Sequence, residues 1–371
     1  WAKSFKAGDW RSGYYRDQTF MMAIGELTPV EFFAGLYGHV NEDLEPMSAG
    51  RQMGGHFSTA TLNPDGSWKN LSETKNSSSD ISPTAGQMPR LLGLAQASKI
   101  YRNEKAVQNA TNFSNNGNEI AWGTIGNAST SEGLFWETIN AAGVLQVPMV
   151  MNVWDDEYGI SVHAKHQTTK ENISEVLSGF QRNDKGEGYE ILRVKGWDYP
   201  ALIETYQKAE KIAREEHVPV LIHVLEVTQP QGHSTSGSHE RYKSKERLDW
   251  EKEFDCNQKM REFIINSEIA TDEELKALEK EIKTEVRDAK NEAWKNYTQE
   301  ILAEKDEFLS VLKDFTQNEE INALYTSLQA DRTPIRKDIA STARAALRIA
   351  TIQNMEGRIA LAKWIEYYIK N

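Results

Sequence analysis

The stretch Glu119–Val162 constrains this chain more than any other. It opens with an apolar run, Glu119 to Gly126, rich in Ile, Trp and Thr, which suits a buried strand. Gly126-Asn127-Ala128-Ser129 breaks that run, and Ser129, Thr130 and Ser131 offer helix N-caps. Leu134, Phe135, Thr138, Ile139, Ala142 and Leu145 then recur at helical spacing, and Val147 to Trp154 forms a second apolar strand ended by Asp155-Asp156. In a right-handed strand–helix–strand unit both strands end at one edge of the sheet, where α/β folds bind ligands. Asn127 and Asp156 would therefore reach one pocket as oxygen donors, for a phosphate, a nucleotide or a bare metal.

The alternation continues downstream. Tyr189–Val194 reads as a strand, Pro200–Glu216 as an amphipathic helix and Val218–Val227 as another buried strand. Such alternation indicates an α/β fold, a mainly parallel sheet with helices on both faces. His223, inside the last strand, reads as a satisfied core histidine. The strand runs into QPQGHSTSGSHERY, whose His233 and His239 become candidates for the same pocket, with Gly232 and Gly237 as hinges. Beyond Tyr242 the chain becomes charged and helical, with a thin apolar stripe, and residues 332–371 hold further amphipathic helices, a C-terminal helical extension. We expect one domain over 1–330 and a helical tail or linker over 331–371.

Before the central unit, Thr28-Pro29 starts a helix. Tyr14-Tyr15-Arg16-Asp17 offers either a phosphate-binding arginine or an Arg–Asp surface pair packed on aromatic rings. Arg51 and His56 lie in a glycine-punctuated loop, MSAGRQMGGHFS, where a lone histidine is usually solvated. Ser82 is placed as the cap of a helix kinked at Pro89.

A net charge of −12 argues against general nucleic-acid binding. No apolar run approaches the roughly 18–20 residues needed to span a bilayer, so no membrane role is expected. No signal-peptide pattern opens the chain, and its single cysteine, Cys256, excludes an intrachain disulfide. A cytoplasmic location is expected.

The segment GNASTSEG, followed by a helix and then WDDEYGIS, resembles the thiamine diphosphate motif of the decarboxylase components of 2-oxo acid dehydrogenase complexes. In that family the motif begins Gly-Asp-Gly and ends in paired asparagines followed shortly by a tyrosine. YYRDQ, GRQMGGHFS, ISPTAGQMP and QGHSTSGSHERY fall in the order of comparable blocks of the alpha subunit, and the resemblance covers roughly residues 10–330. It implies the thiamine diphosphate-binding fold, with thiamine diphosphate and Mg²⁺ as cofactors. By the same resemblance Tyr15 and Arg16 would bind the diphosphate. Ser82 and Thr84 would lie against the thiazolium and aminopyrimidine rings, and Gly126, Ala128 and Ser129 would offer backbone amides to the diphosphate. Asn127, Asp156 and the Tyr158 carbonyl would hold the metal. His233 would sit over the active site and His56 near its entrance.

Two departures stand out. The family's Asp is Asn127 here and its Asn is Asp156, an exchange that keeps one carboxylate and one carboxamide, so metal binding is expected to survive. The third glycine of the opening motif is Ala128, which demands a backbone angle compatible with a side chain. The resemblance further implies oxidative decarboxylation of a 2-oxo acid, branched-chain rather than pyruvate, with acyl transfer to a lipoyl-bearing acyltransferase component. It implies a beta subunit or beta half, supplying the activating glutamate in an alpha2beta2 assembly, without which the chain is expected to be inactive. A homologue retaining the fold as a non-catalytic scaffold is the competing expectation.

Overall fold

In a computed structural model, which describes residues 1–52, 55–233 and 237–370, the chain separates into two compact units, 1–285 and 286–371. The first is a six-stranded sheet, all parallel. Its strands are β1 (Trp10–Ser12), β2 (Asn76–Ser77), β3 (Ala121–Gly126), β4 (Met149–Trp154), β7 (Glu190–Lys195) and β8 (Val220–Leu225), in the order β2-β1-β3-β4-β8-β7. A two-stranded hairpin of β5 (Tyr158–Gly159) and β6 (Val162–His163) follows β4. The helices are α1 (Gln18–Ala23), α2 (Pro29–Tyr37), α3 (Met88–Asn103), α4 (Gly133–Leu145), the single turn α5 (Ile173–Val176), α6 (Tyr199–Lys211), α7 (Lys245–Glu253) and α8 (Cys256–Asn266). The 41-residue α9 (Asp272–Leu312) runs across the boundary between the units. The second unit contains α10 (Glu319–Ala330), α11 (Arg336–Ile352) and α12 (Arg358–Lys370), packed around Phe308, Leu312, Ile321, Ile339 and Leu361. The expected division at 330/331 falls between α10 and α11, inside this second unit.

The central strands are buried on both faces because their residues alternate between two apolar layers. Trp122, Val150, Val220 and Ile222 join Tyr206 and Phe20 on one side. Ala121, Met149, Met151 and Leu221 join Leu91, Phe135 and Ile139 on the other. Gly123 is required by this packing, since a Cβ there would lie 2.4 Å from Leu91 of α3. His223 is fully buried, with its ring nitrogens 2.8 Å from Asp155 and 2.9 Å from the Ser174 hydroxyl, the satisfied core histidine that the sequence indicates. Among the described residues no helix is long and apolar enough to cross a membrane.

Several sequence expectations are corrected. Ser82 caps no helix: Ala85 takes a left-handed backbone (φ 59°), and α3 starts only at Met88. Pro89 then falls in the first turn, where its missing N–H costs nothing, so it does not kink the helix. Ser129, Thr130 and Ser131 do not cap α4 but form a short 3-10 turn with Ala128, the Thr130 hydroxyl donating to the Asn127 carbonyl at 2.6 Å. β1, β2 and α1 went unread, being too short for a periodic signal.

Candidate functional site

The parallel pairing of β3 with β4 sets Gly126 beside Trp154 at their carboxyl ends. Asn127, one residue past β3, and Asp156, two residues past β4, therefore leave the sheet at one edge. The Asn127 amide donates back to the Trp154 carbonyl at 3.1 Å, which fixes the first turn against the second. Above this edge lies a cleft of about 550 Å³. Gly126, Asn127, Ala128 and Ser129 line it from the first turn, and Asp156 and Tyr158 from the second. Tyr15 and Arg16 close it from the β1–α1 connection, Thr84 from the segment before α3, and His233 from the loop after β8. Ten of the residues expected at the site thus meet in one cavity.

Ser82 and His56 do not line it. The His56 imidazole Nε2 lies 2.9 Å from the Ser82 hydroxyl, and its ring stacks 6.3 Å from that of Tyr15, so the pair supports the cleft from behind. His239 does not line it either: it sits in a 3-10 turn, Ser238–Arg241, packed over Gly232. Met53 and Gly54 of the glycine-punctuated loop, and Ser234–Ser236 of the histidine loop, lie outside the described residues.

The donor side of the cleft is buried and incompletely satisfied. Asn127 is buried, and its side-chain Nδ2 has no hydrogen-bond partner. Asp156 is also buried, its Oδ1 accepting from the Tyr158 amide at 3.2 Å. Burial pushes the Asp156 carboxyl up to about 6, a rise that the Tyr158 amide and Lys243 restrain. A divalent cation would repay that desolvation. A carboxylate, a carboxamide and a backbone carbonyl are hard oxygen donors suited to Mg²⁺, which keeps its remaining positions for water and phosphate oxygens. Among the described residues no three His, Cys, Asp or Glu side chains gather as a metal cluster, so a metal here would depend on this mixed set.

The anion side is cationic and exposed. The Arg16 guanidinium stacks 5.6 Å from the Tyr15 ring and points an Nη at both nitrogens of His233, 3.2 Å away. Burial and then the Arg16 charge hold the His233 imidazole below its ordinary value, so it stays neutral and accepts. The alternative surface pair of Arg16 with Asp17 does not form. Asp17 is buried and accepts instead from Arg11 Nε at 2.8 Å, which leaves Arg16 available to a ligand. Arg11 is itself fully buried and also contacts Asp80 at 3.0 Å, Ser77 and the Tyr14 carbonyl, while the Thr124 hydroxyl of β3 bonds Asp17. This network forms the floor of the cleft.

Ala128 sits in the 3-10 turn at negative φ, so the missing glycine is tolerated. Its Cβ abuts the hairpin at Gly159, where an added Cβ would lie 2.7 Å from it. Sequence reasoning missed Gln167 and Ile160, which complete the wall of the cleft, and Arg247 behind it. Only the (i, i+4) spacing of Arg247 and Glu251 signals the last.

A family model described as "Dehydrogenase E1 component" matches residues 1–301. The chain is 26% identical over 280 residues to the 2-oxoisovalerate dehydrogenase subunit alpha of Bacillus subtilis (strain 168), covering 76% of this chain and 73% of that one. It is 26% identical over 309 residues to the mitochondrial 2-oxoisovalerate dehydrogenase subunit alpha of Dictyostelium discoideum, covering 79% and 61%. With the pyruvate dehydrogenase E1 component subunit alpha of Rickettsia typhi (strain ATCC VR-144 / Wilmington) it shares 25% over 175 residues, covering 47% and 50%. The matched parts thus span from half to under three-quarters of these relatives' own lengths.

Proposed function

This chain belongs to the dehydrogenase E1 component family, and on that premise we propose that it is the alpha part of a thiamine diphosphate- and Mg²⁺-dependent 2-oxo acid dehydrogenase. The observation that carries the reading is the juxtaposition, at one sheet edge, of a buried carboxylate–carboxamide pair and an exposed arginine. That arrangement matches a metal-bound diphosphate in charge and donor type. Asn127, Asp156 and the Tyr158 carbonyl would hold Mg²⁺, with Tyr158 N–H orienting the Asp156 carboxylate. Arg16 would neutralise the diphosphate, and the turn Gly126–Ser129 would offer it backbone amides. Tyr15 would contact the diphosphate beside Arg16, and Thr84 would lie against the cofactor's rings, with His56 bonded to Ser82 and stacked on Tyr15. When bound, thiamine diphosphate supplies the electron sink for loss of carbon dioxide from a 2-oxo acid. Neutral His233 at the mouth would hydrogen-bond the substrate carboxylate or hold a proton near it.

The 2-oxoisovalerate relatives in Bacillus subtilis and Dictyostelium align over 76% and 79% of this chain and the Rickettsia pyruvate relative over 47%, which favours a branched-chain 2-oxo acid over pyruvate. A beta partner would complete the site and supply the activating glutamate, in an alpha2beta2 assembly. A lipoyl-bearing acyltransferase would take the acyl group.

Calorimetry with thiamine diphosphate, with and without Mg²⁺ and with the beta partner present, tests the cofactor reading: metal-dependent binding is expected. No binding under any of these conditions would favour the scaffold instead. Decarboxylation assayed across a panel of 2-oxo acids decides the substrate.

A further inference from the structure

The bend Asp156–Tyr158 is held only in part from within, Asp155 Oδ1 accepting from the Glu157 amide at 2.8 Å and Asp156 Oδ1 from the Tyr158 amide at 3.2 Å. Glu157 takes a left-handed backbone (φ 67°), which is strained for a residue with a Cβ. Beyond the bend lies α7, which supplies Arg247. One guanidinium nitrogen, Nη2, donates to the Asp156 carbonyl at 3.0 Å, while Nη1 pairs with the Glu157 carboxylate. A single planar group thus grips two consecutive residues on either side of the strained peptide. Arg247 is in turn fixed through Nε, which donates to Glu251 at 2.9 Å. Glu251 is fully buried and also receives Lys243 Nζ at 2.7 and 2.9 Å. Both cations lie over the Tyr158 ring, at 5.0 and 5.5 Å.

We propose that Arg247 is a positioning residue for the metal half of the site, holding the Asp156–Glu157 peptide so that the Asp156 carboxylate and the Tyr158 carbonyl face one point. The inference rests on the metal reading of Asn127, Asp156 and Tyr158 given above. Arg247 touches neither metal nor cofactor and acts through the bend. Lysine cannot replace it fully, because a point ammonium lacks the fork that spans two acceptors. Its removal leaves Glu251 paired with Lys243, so the fold tolerates it.

The test titrates thiamine diphosphate binding against Mg²⁺ in the full chain co-purified with its beta partner. In R247M the half-saturating Mg²⁺ rises about tenfold, the equivalent of one lost hydrogen bond to a charged group. R247K recovers part of that loss, and the ligand-free melting temperature of either falls by no more than about 4 °C. An R247M curve that overlays the wild type overturns the inference while leaving the metal reading intact. Wild-type binding that ignores Mg²⁺ overturns both. Should R247M fail to fold, E157Q decides, since it removes only the charge of the half-exposed partner: a rise of about two- to threefold supports the inference, and a wild-type curve sinks it.

Discussion

The floor and the rim of the cleft use arginine in opposite ways. Arg11, beneath, has no solvent exposure and contacts two carboxylates, a hydroxyl and a carbonyl. Arg16, at the rim, is exposed and contacts a neutral imidazole and a tyrosine ring. The sequence separates them by five positions and cannot tell which neighbour Asp17 will choose. The structure gives Asp17 to Arg11. The difference teaches that a charge the fold depends on is fully partnered within it, whereas an exposed charge with only weak partners is one an anion would outcompete them for.

Substitutions at four positions sharpen or break that contrast. The largest effect belongs to Arg11→Met, which strands Asp17 and Asp80 as buried charges. Stability measured by urea unfolding should fall by about 3–5 kcal/mol, and a loss below about 1 kcal/mol would refute the floor's structural role. Next, Asp156→Ala should lower metal-dependent thiamine diphosphate affinity by about 100-fold or more with the fold intact. Asp156→Asn alone should weaken Mg²⁺ binding, and adding Asn127→Asp should restore it; a double variant as weak as the single would show that the two positions are not one exchanged pair. Arg16→Ala should cost about 10- to 100-fold in cofactor affinity by calorimetry. Its unfolding free energy should move by less than about 0.5 kcal/mol, and a larger change would place Arg16 with Arg11.

The smallest effect concerns His217, far from the cleft. It is buried, at left-handed φ, and its Nε2–H donates to the Gly117 carbonyl at 2.8 Å. Burial, then Arg102, depresses its imidazole to about 4 from an ordinary 6.5. The unfolded chain therefore binds the proton first: the contribution to stability is full above about 6.5 and is lost as pH falls to about 4. Asn suits the left-handed backbone and does not titrate, so H217N should flatten the acid limb of stability by on the order of 1–2 kcal/mol. Unfolding at pH 7 and pH 4.5 measures it, and an unchanged slope would remove His217 as the cause.

The strand–turn–helix–strand unit was legible because its residues repeat with one period and both turn donors follow from topology. His223 was legible because a histidine in a continuous apolar strand has only buried partners to choose from. The family blocks alone carried Thr84 to the cleft; the strand order had already offered His233, and the local reading of Arg16 had left a surface pair with Asp17 open. What stayed hidden was tertiary. β2 is two polar residues, Asn76-Ser77, whose strand character exists only beside β1. Ser82 looks like a cap until Ala85 turns the chain. Arg247 reads as one more charge on an exposed helix, and its grip on Asp156 crosses 91 residues that no local pattern spans.

The place of β1 has a kinetic consequence. It lies between β2 and β3, and Asp9, just before it, accepts from the Ile120 amide 111 residues away. The segment cannot complete its pairing until β3 has been made, and until then Asp9 lacks the Ile120 amide and Asp17 the Thr124 hydroxyl. Such long-range closure is slow. β1 is made before β3 and is inserted beside it late, so the exposed interval of this sheet is set by the spacing of its strands in sequence rather than by its core.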